Sequence, residues 1–150
     1  MKETIEQLEK IIADYKPLLS KLTEGELSAK SNPAKWSKKE IVGHLIDSAL
    51  TNARRFIVAQ YEDNPKIVYA QDTWVKASGY QNYESKNLID LWALINKHIC
   101  QILSSLQPDL QKRICITGEP HTIEWLAADY NKHLLHHLHV ILDLEPVAYP

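Results

Sequence analysis

The sequence contains little glycine and little cysteine. Its 150 residues include four glycines and two cysteines. So few glycines disfavour a glycine-rich phosphate-binding loop and a turn-rich β fold. Cys100 and Cys115 are too few for a disulfide scaffold, so we expect a reduced, cytoplasmic setting.

An excess of charge of one sign and a long apolar run are also lacking. Seventeen basic and nineteen acidic residues give a formal net charge of −2. This near-balance supplies no field for wrapping nucleic acid or holding an anionic membrane. No stretch approaches the roughly 20 apolar residues of a membrane span. We therefore expect neither nucleic acid nor a membrane as a partner.

What the sequence does contain is helical periodicity over the length of one ordinary domain, and we interpret residues 1–150 as a single domain. Apolar residues recur at three- and four-residue spacing, the pattern of amphipathic helices. Four helices are predicted, at about 4–22, 37–61, 85–106 and 122–144. The sequence therefore predicts an all-α fold, a four-helix bundle with a long crossover loop between the second and third helices.

Local signals refine these boundaries. Ser37 followed by Glu40 is a capping box for the second helix, and Pro17 should kink the first helix or make its last turn irregular. Residues 65–83 are predicted to be irregular and are rich in aromatic side chains. Such a long loop is either a lid or binding loop, or a packed cover over the end of the bundle.

Seven histidines are many for this length, and four of them fall between residues 133 and 139. On a helix, His133 and His137 lie on neighbouring turns at the edge of the apolar arc, so both rings can reach one point. His136 and His139 fall on the polar side and are predicted to be solvated. Leu134 stands where a zincin helix carries its general-base glutamate, which excludes that protease chemistry.

A third histidine, His44, lies at the edge of the apolar arc of the second helix and could meet the pair in a bundle. Three imidazoles around a divalent ion leave a position open for water or substrate. Asp47 and Asp129 lie one turn from His44 and His133, the spacing of carboxylates that orient metal ligands. The alternatives are a hydrogen-bonded core pair for the histidines and ordinary surface acids for the aspartates.

Three segments together resemble the DinB/YfiT-like superfamily. They are the run Trp36–Ser48, the aromatic segment Pro65–Val75, and Thr117–Leu126 followed by Tyr130, His133, His136 and His137. The resemblance implies a four-helix bundle with a crossover, a homodimer, and one divalent metal ion, zinc or nickel. Carried over by position, the metal ligands are His44, His133 and His137. Val140 departs from the family pattern, in which many members carry glutamine.

The resemblance also implies either a thiol-dependent transferase, with a low-molecular-weight thiol as a cofactor, or a metal-dependent hydrolase. Both would act on a small-molecule substrate. Ser48, Trp74 and His121 are further candidates for the pocket or for support of the ligands, the last as a rim residue. Two hypotheses remain beside an enzyme: a metal- or ligand-binding protein without turnover, and a helical dimer whose histidines are structural.

Overall fold

Four long helices dominate the structure, a computed structural model that describes residues 1–149. The helices are α1 (Lys2–Leu19), α2 (Glu24–Ser28), α3 (Lys38–Val58), α4 (Gln71–Ser78), α5 (Ser85–Ser104) and α6 (Ile123–Ile141). A small hairpin pairs β1 (Ile114–Ile116) with β2 (Pro120–Thr122) in antiparallel register. Short 3-10 turns lie at Tyr80–Asn82 and Pro108–Lys112. The predicted all-α four-helix bundle is confirmed.

The long helices do not pack in the order of the chain. Helix α3 packs against α5 and α6, and α1 packs against the same two helices. Helices α1 and α3 therefore lie across the bundle from each other, although they follow one another among the long helices. This crossed arrangement brings α3, which carries His44, against α6, which carries the four clustered histidines.

Local signals set the helix ends as expected. Ser37 accepts the Glu40 N–H at 3.1 Å, and the Glu40 carboxylate accepts the Ser37 N–H at 2.8 Å, which is the predicted capping box. Pro17 lies in the last turn of α1. Beyond Leu19 the Lys21 N–H bonds to the Leu18 carbonyl at 3.2 Å, a tighter three-residue turn. The last turn of α1 itself stays α-helical through Leu19, so the irregular turn lies just beyond the helix rather than at Pro17.

The segment predicted to be irregular, residues 65–83, contains helix α4 and the 3-10 turn Tyr80–Asn82. The prediction was wrong here because α4 has eight residues and buries only Val75, so it shows no apolar stripe. Gly79 ends α4 at φ +66°, a left-handed conformation that glycine adopts without strain. The α4 segment packs against α3, as a cover of the bundle would.

The hairpin completes the end of the bundle that holds the site. Residues 65–67 run parallel to β1, with the Ile67 N–H bonded to the Ile116 carbonyl at 2.9 Å. The Thr122 hydroxyl, at the end of β2, accepts the Trp125 N–H at 3.2 Å and caps α6. Within residues 1–149 we find no helix that is both long and apolar enough to cross a membrane.

Candidate metal centre

Helices α3 and α6 bring His44, His133 and His137 together. The Nε2 atoms of His44 and His133 are 3.1 Å apart. The ring centroids of His133 and His137, on successive turns of α6, are 4.6 Å apart, and the His137 ring lies 4.9 Å from that of His44. One nitrogen from each ring lies within 4.8 Å of one nitrogen from each of the others. The predicted convergence of these three residues is therefore what the structure shows.

Burial keeps these imidazoles neutral. It lowers the pKa of His44 to about 4, although the charge of Asp72 acts in the opposite direction. Burial, reinforced by the neighbouring histidines, lowers the pKa of His133 to about 2 and that of His137 to about 4. A neutral imidazole has a nitrogen lone pair available for a metal ion, whereas an imidazolium has none. All three rings are thus in the ligating protonation state at pH 7.

The spacing of His44 and His133 fits one divalent ion. Two nitrogens bound at about 2.0–2.1 Å to a tetrahedral ion must lie roughly 3.3 Å apart. The observed 3.1 Å between the Nε2 atoms of His44 and His133 is close to this spacing. Without an ion, at most one proton could be shared between these two nitrogens, and the third ring would add another lone pair at the same point. Three imidazoles form a donor set that suits zinc, nickel, copper and iron.

Ser48 lies beside one of the ligands, as its selection as a candidate anticipated. Its Oγ is 3.5 Å from the Nδ1 of His133, the ring nitrogen that does not face His44. Asn52 in turn donates to the Ser48 carbonyl at 3.0 Å. The Trp36 ring lies against His44 with centroids 5.0 Å apart. Within residues 1–149, the Nδ1 of His44 is buried without a hydrogen-bond partner.

Asp47 does not have the predicted role of orienting His44. Its Oδ1 accepts the Tyr80 hydroxyl at 2.5 Å, and within residues 1–149 no hydrogen bond joins it to a histidine. Tyr80 reaches Asp47 because Gly43 has no side chain in its path. Burial raises the pKa of the Asp47 carboxyl group, and burial together with the Asp47 bond raises the pKa of the Tyr80 hydroxyl.

Asp129 also has a different partner from the one its spacing predicted. Its Oδ2 accepts the Tyr149 hydroxyl at 2.8 Å rather than a bond from His133. The Tyr149 ring lies edge-on to His133, with centroids 5.3 Å apart. Sequence reasoning missed Tyr149 because it follows α6 in a segment without periodicity. It reaches the site because the chain turns back along α6.

His136 and His139 hold this returning segment and are half-buried, whereas the sequence predicted them to be solvated. The Nδ1 of His136 donates to the Val147 carbonyl at 2.7 Å, and the Nδ1 of His139 donates to the Glu145 carbonyl at 2.6 Å. The Nε2 of His139 is 2.7 Å from the Tyr15 hydroxyl. Helical spacing assigned both histidines to the polar side of α6 but could not show that the chain covers that side.

A cavity of about 470 Å³ opens beside the histidines. Its lining includes Ser48, Asn52, Arg55, Tyr69, Gln71, Thr117, His121, Asp129, His133, His136, His137 and Tyr149. His121 is therefore at the pocket, as predicted, and its ring stacks on Trp125 with centroids 3.8 Å apart. Trp74 is not part of the lining. It is 41% exposed and packs edge-on against Tyr69, which does line the cavity.

Comparison with known proteins places these features in context. The sequence profile described as the DinB superfamily matches residues 7–141. A Bacillus mycoides (strain KBAB4) protein named "Putative metal-dependent hydrolase" is 26% identical over 110 residues, which cover 72% of this chain and 63% of that protein. The chain thus spans less than two thirds of that relative's length.

Two solved structures share the fold. One is YfiT from Bacillus subtilis, reported as a probable metal-dependent hydrolase with an unusual four-helix bundle topology. Its TM-score is 0.84 at 23% identity, covering 95% of this chain and 83% of YfiT. The other is a mycothiol-dependent maleylpyruvate isomerase, with a TM-score of 0.72 at 14% identity, covering 98% of this chain and 61% of the isomerase.

Proposed function

The chain belongs to the DinB superfamily, and on that basis we propose that it is a divalent-metal-dependent enzyme acting on a small molecule, in the first place a hydrolase. The observation that carries the proposal is the convergence of three neutral imidazoles beside a cavity. The Bacillus mycoides relative is named for metal-dependent hydrolysis, and YfiT is reported as a probable enzyme of the same kind.

Each residue of the site has a distinct part in this proposal. His44, His133 and His137 hold the ion, which supplies Lewis-acid activation of a substrate carbonyl or of water. Ser48 fixes the orientation of the His133 ring. The Tyr149 ring covers His133 and limits the access of water.

Asp129 is the carboxylate that lines the cavity and is the group we assign to proton transfer. Its Oδ2 accepts from the Tyr149 hydroxyl, so a proton taken by Asp129 would change the bond that holds Tyr149. Asp47 is excluded from this part because it is 1% exposed and bonded to Tyr80. The two aspartates, equivalent in spacing, thus receive different assignments.

A thiol-dependent transferase is the second candidate. A site of three imidazoles without a carboxylate ligand can hold a thiolate, and the structurally similar isomerase is named for its dependence on mycothiol. The cavity, at about 470 Å³, has the volume of sites that take a small ligand. The two candidates differ in whether turnover requires an added thiol.

The test is a turnover screen on protein loaded with zinc or nickel, using small esters and amides with and without a low-molecular-weight thiol. His133→Ala should abolish any turnover found, whereas His98→Ala, on the exposed side of α5, should leave it unchanged. Activity without thiol supports the hydrolase, and activity only with thiol supports the transferase. Metal-loaded protein that turns over nothing in either format favours a non-catalytic binder, and undiminished activity in His133→Ala contradicts both enzymes.

A further inference from the structure

A positively charged side chain lies in the same cavity as the histidines. Helix α3 carries one row of polar residues that begins at the metal centre, and Ser48, Asn52 and Arg55 of this row line the cavity. The row consists of His44, Ser48, Asn52 and Arg55, at steps of four, four and three residues. Arg55 is half-buried and forms part of the cavity wall.

The hydrogen bonds of Arg55 leave part of its guanidinium free. Nε and Nη2 donate to the Ile67 carbonyl at 3.1 and 3.0 Å, and Nη1 donates to the Asn52 Oδ1 at 3.3 Å. These bonds occupy three of the five N–H groups of an arginine side chain, so two remain. Within residues 1–149, no carboxylate lies within 4.0 Å of this guanidinium.

The other partly buried arginine of the chain has a different environment. Arg113 donates to the Ala59 carbonyl at 2.6 Å and also forms an ion pair with Asp63 at 2.7 Å. Its charge is therefore balanced by an acid, as expected for an arginine that only holds loops together. Arg55 resembles it in binding a backbone carbonyl but lacks the acid.

A half-buried cation that no carboxylate contacts is costly, and an anion entering the cavity would offset that cost. Burial lowers the pKa of Arg55, although an arginine remains charged at pH 7. Asp129, in the same cavity, favours the charged form of Arg55 but forms no ion pair with the guanidinium within 4.0 Å. The uncommitted N–H groups of Arg55 thus match a planar oxyanion, which arginine binds through two parallel hydrogen bonds.

We propose that Arg55 binds the carboxylate of the substrate while the reacting bond lies at the three histidines. Asn52 acts as a positioning residue, because its amide oxygen holds the guanidinium. The backbone positions of His44 and Arg55 are about 16 Å apart along the axis of α3. The Arg55 side chain leans back toward the helix start, which shortens this span. The substrate is accordingly a small carboxylic acid whose reacting bond is remote from its carboxylate, and this class rests on the proposed function.

The experiment measures the binding of adipate and of its neutral analogue adipamide to metal-free protein, by titration calorimetry and by NMR of ¹⁵N-labelled arginine. Adipate should bind the wild type about tenfold or more tightly than adipamide, as a charge-assisted hydrogen-bond pair implies. Arg55→Gln should remove this preference. Arg54→Gln makes the same change of charge at the adjacent exposed position and should retain it.

Equal binding of adipate and adipamide to the wild type would overturn the proposal, as would an equal loss in Arg54→Gln. Arg55→Gln also removes the hydrogen bond to the Ile67 carbonyl, so a misfolded variant would lose binding for another reason. A measurement on the wild type is free of this problem. The chain has three arginines, at positions 54, 55 and 113, which makes the guanidinium signals easy to assign. Adipate should shift the signals of Arg55 and not those of Arg113, and an unmoved Arg55 signal contradicts the proposal.

Metal-free protein keeps the two proposals separable. If the protein binds no divalent ion but Arg55 selects adipate, the metal-dependent function fails and the anion site stands. If an ion is bound and adipate is not preferred, only the carboxylate site fails.

Discussion

Helix α3 carries two sets of buried polar groups on adjacent faces, and they have opposite characters. On one face, His44 meets two histidines of α6 beside an open cavity. On the other, Asp47 is sealed against Tyr80, and Gly43 allows the contact. His44 and Asp47 are each 1% exposed, so burial alone does not distinguish them.

What distinguishes the two sets is the partner. The Asp47–Tyr80 pair satisfies one oxygen of the buried carboxylate and holds the 3-10 turn Tyr80–Asn82 against α3. The other oxygen, Oδ2, is buried without a hydrogen-bond partner within residues 1–149. The Nε2 atoms of His44 and His133 can share at most one proton, so the neutral histidines keep a nitrogen lone pair that an ion can use. The histidines are therefore candidates for ligand binding, because His133 and His137 line the cavity, whereas Asp47 does not line it.

The largest effect on stability is expected at the Asp47–Tyr80 pair. A Cβ at Gly43 would lie 2.1 Å from a ring carbon of Tyr80, so Gly43→Ala must displace the ring and break its bond to Asp47. We expect a loss of about 3 kcal/mol in the free energy of unfolding, measured in urea. Gly25→Ala is the matched control, because its Cβ would meet nothing nearer than 4.0 Å and should cost little. Equal costs for the two variants would contradict this account of Gly43.

The three histidines should make the stability of the protein depend on a bound ion. At a free zinc concentration 100 times the dissociation constant, the ion should stabilise the wild type by about 2.7 kcal/mol, and chelation should remove this stabilisation. His137→Ala should show little of it, while His98→Ala, which alters an exposed ring on α5, should keep it in full. Thermal melts with and without chelator measure both. A chelator effect of the same size in His137→Ala would show that the ion binds elsewhere.

A smaller loss should follow Tyr80→Phe, which leaves the ring in place and removes the hydroxyl that Asp47 accepts. A buried charge that loses such a bond costs about 2 kcal/mol. Tyr83→Phe is the control, since that ring is 40% exposed. Zinc stoichiometry should be the same in both variants, because the sealed pair takes no part in the metal site. A loss of zinc in Tyr80→Phe would show that the Asp47–Tyr80 pair and the metal site are not independent.

The smallest expected effect is a pH dependence from Asp47. Burial raises its pKa in the folded protein above the unfolded value, so the folded state holds the proton more tightly. The contribution of this group to stability therefore falls as pH rises from the unfolded value, about 3.9, through the folded one. Asp47→Asn keeps an acceptor for Tyr80 without the charge and should gain on the wild type as pH rises. Urea midpoints of the wild type and of Asp47→Asn from pH 3.5 to pH 7 measure this effect. A difference between the two midpoints that does not change with pH would contradict the prediction.

The parts of the fold that depend on periodicity were predictable, and so was the trio of histidines. The four long helices follow from apolar spacing, and Ser37 with Glu40 marked the start of α3. The resemblance to a family added the crossed connection that brings His44 to α6. Helix α4 was missed because a short helix with one buried residue has no stripe.

The partners of the polar groups could not be predicted. Asp47 and Asp129 have the spacing of residues that support a ligand, yet tertiary contacts assign them to Tyr80 and Tyr149. His136 and His139 were expected in solvent because helical spacing does not show which segment returns along a helix. Within residues 1–149 no carboxylate lies within 4.0 Å of Arg55, and this depends on tertiary contacts that the sequence does not show.

The most direct test is elemental analysis of purified, tag-free protein beside His44→Ala, His133→Ala and the control His98→Ala. The account predicts about one equivalent of a divalent ion in the wild type and in His98→Ala, and its loss from both other variants, although they alter different helices. Such a result would show that α3 and α6 share one site. A wild type that binds no ion after incubation with zinc and nickel, or an ion retained by both His44→Ala and His133→Ala, would contradict it.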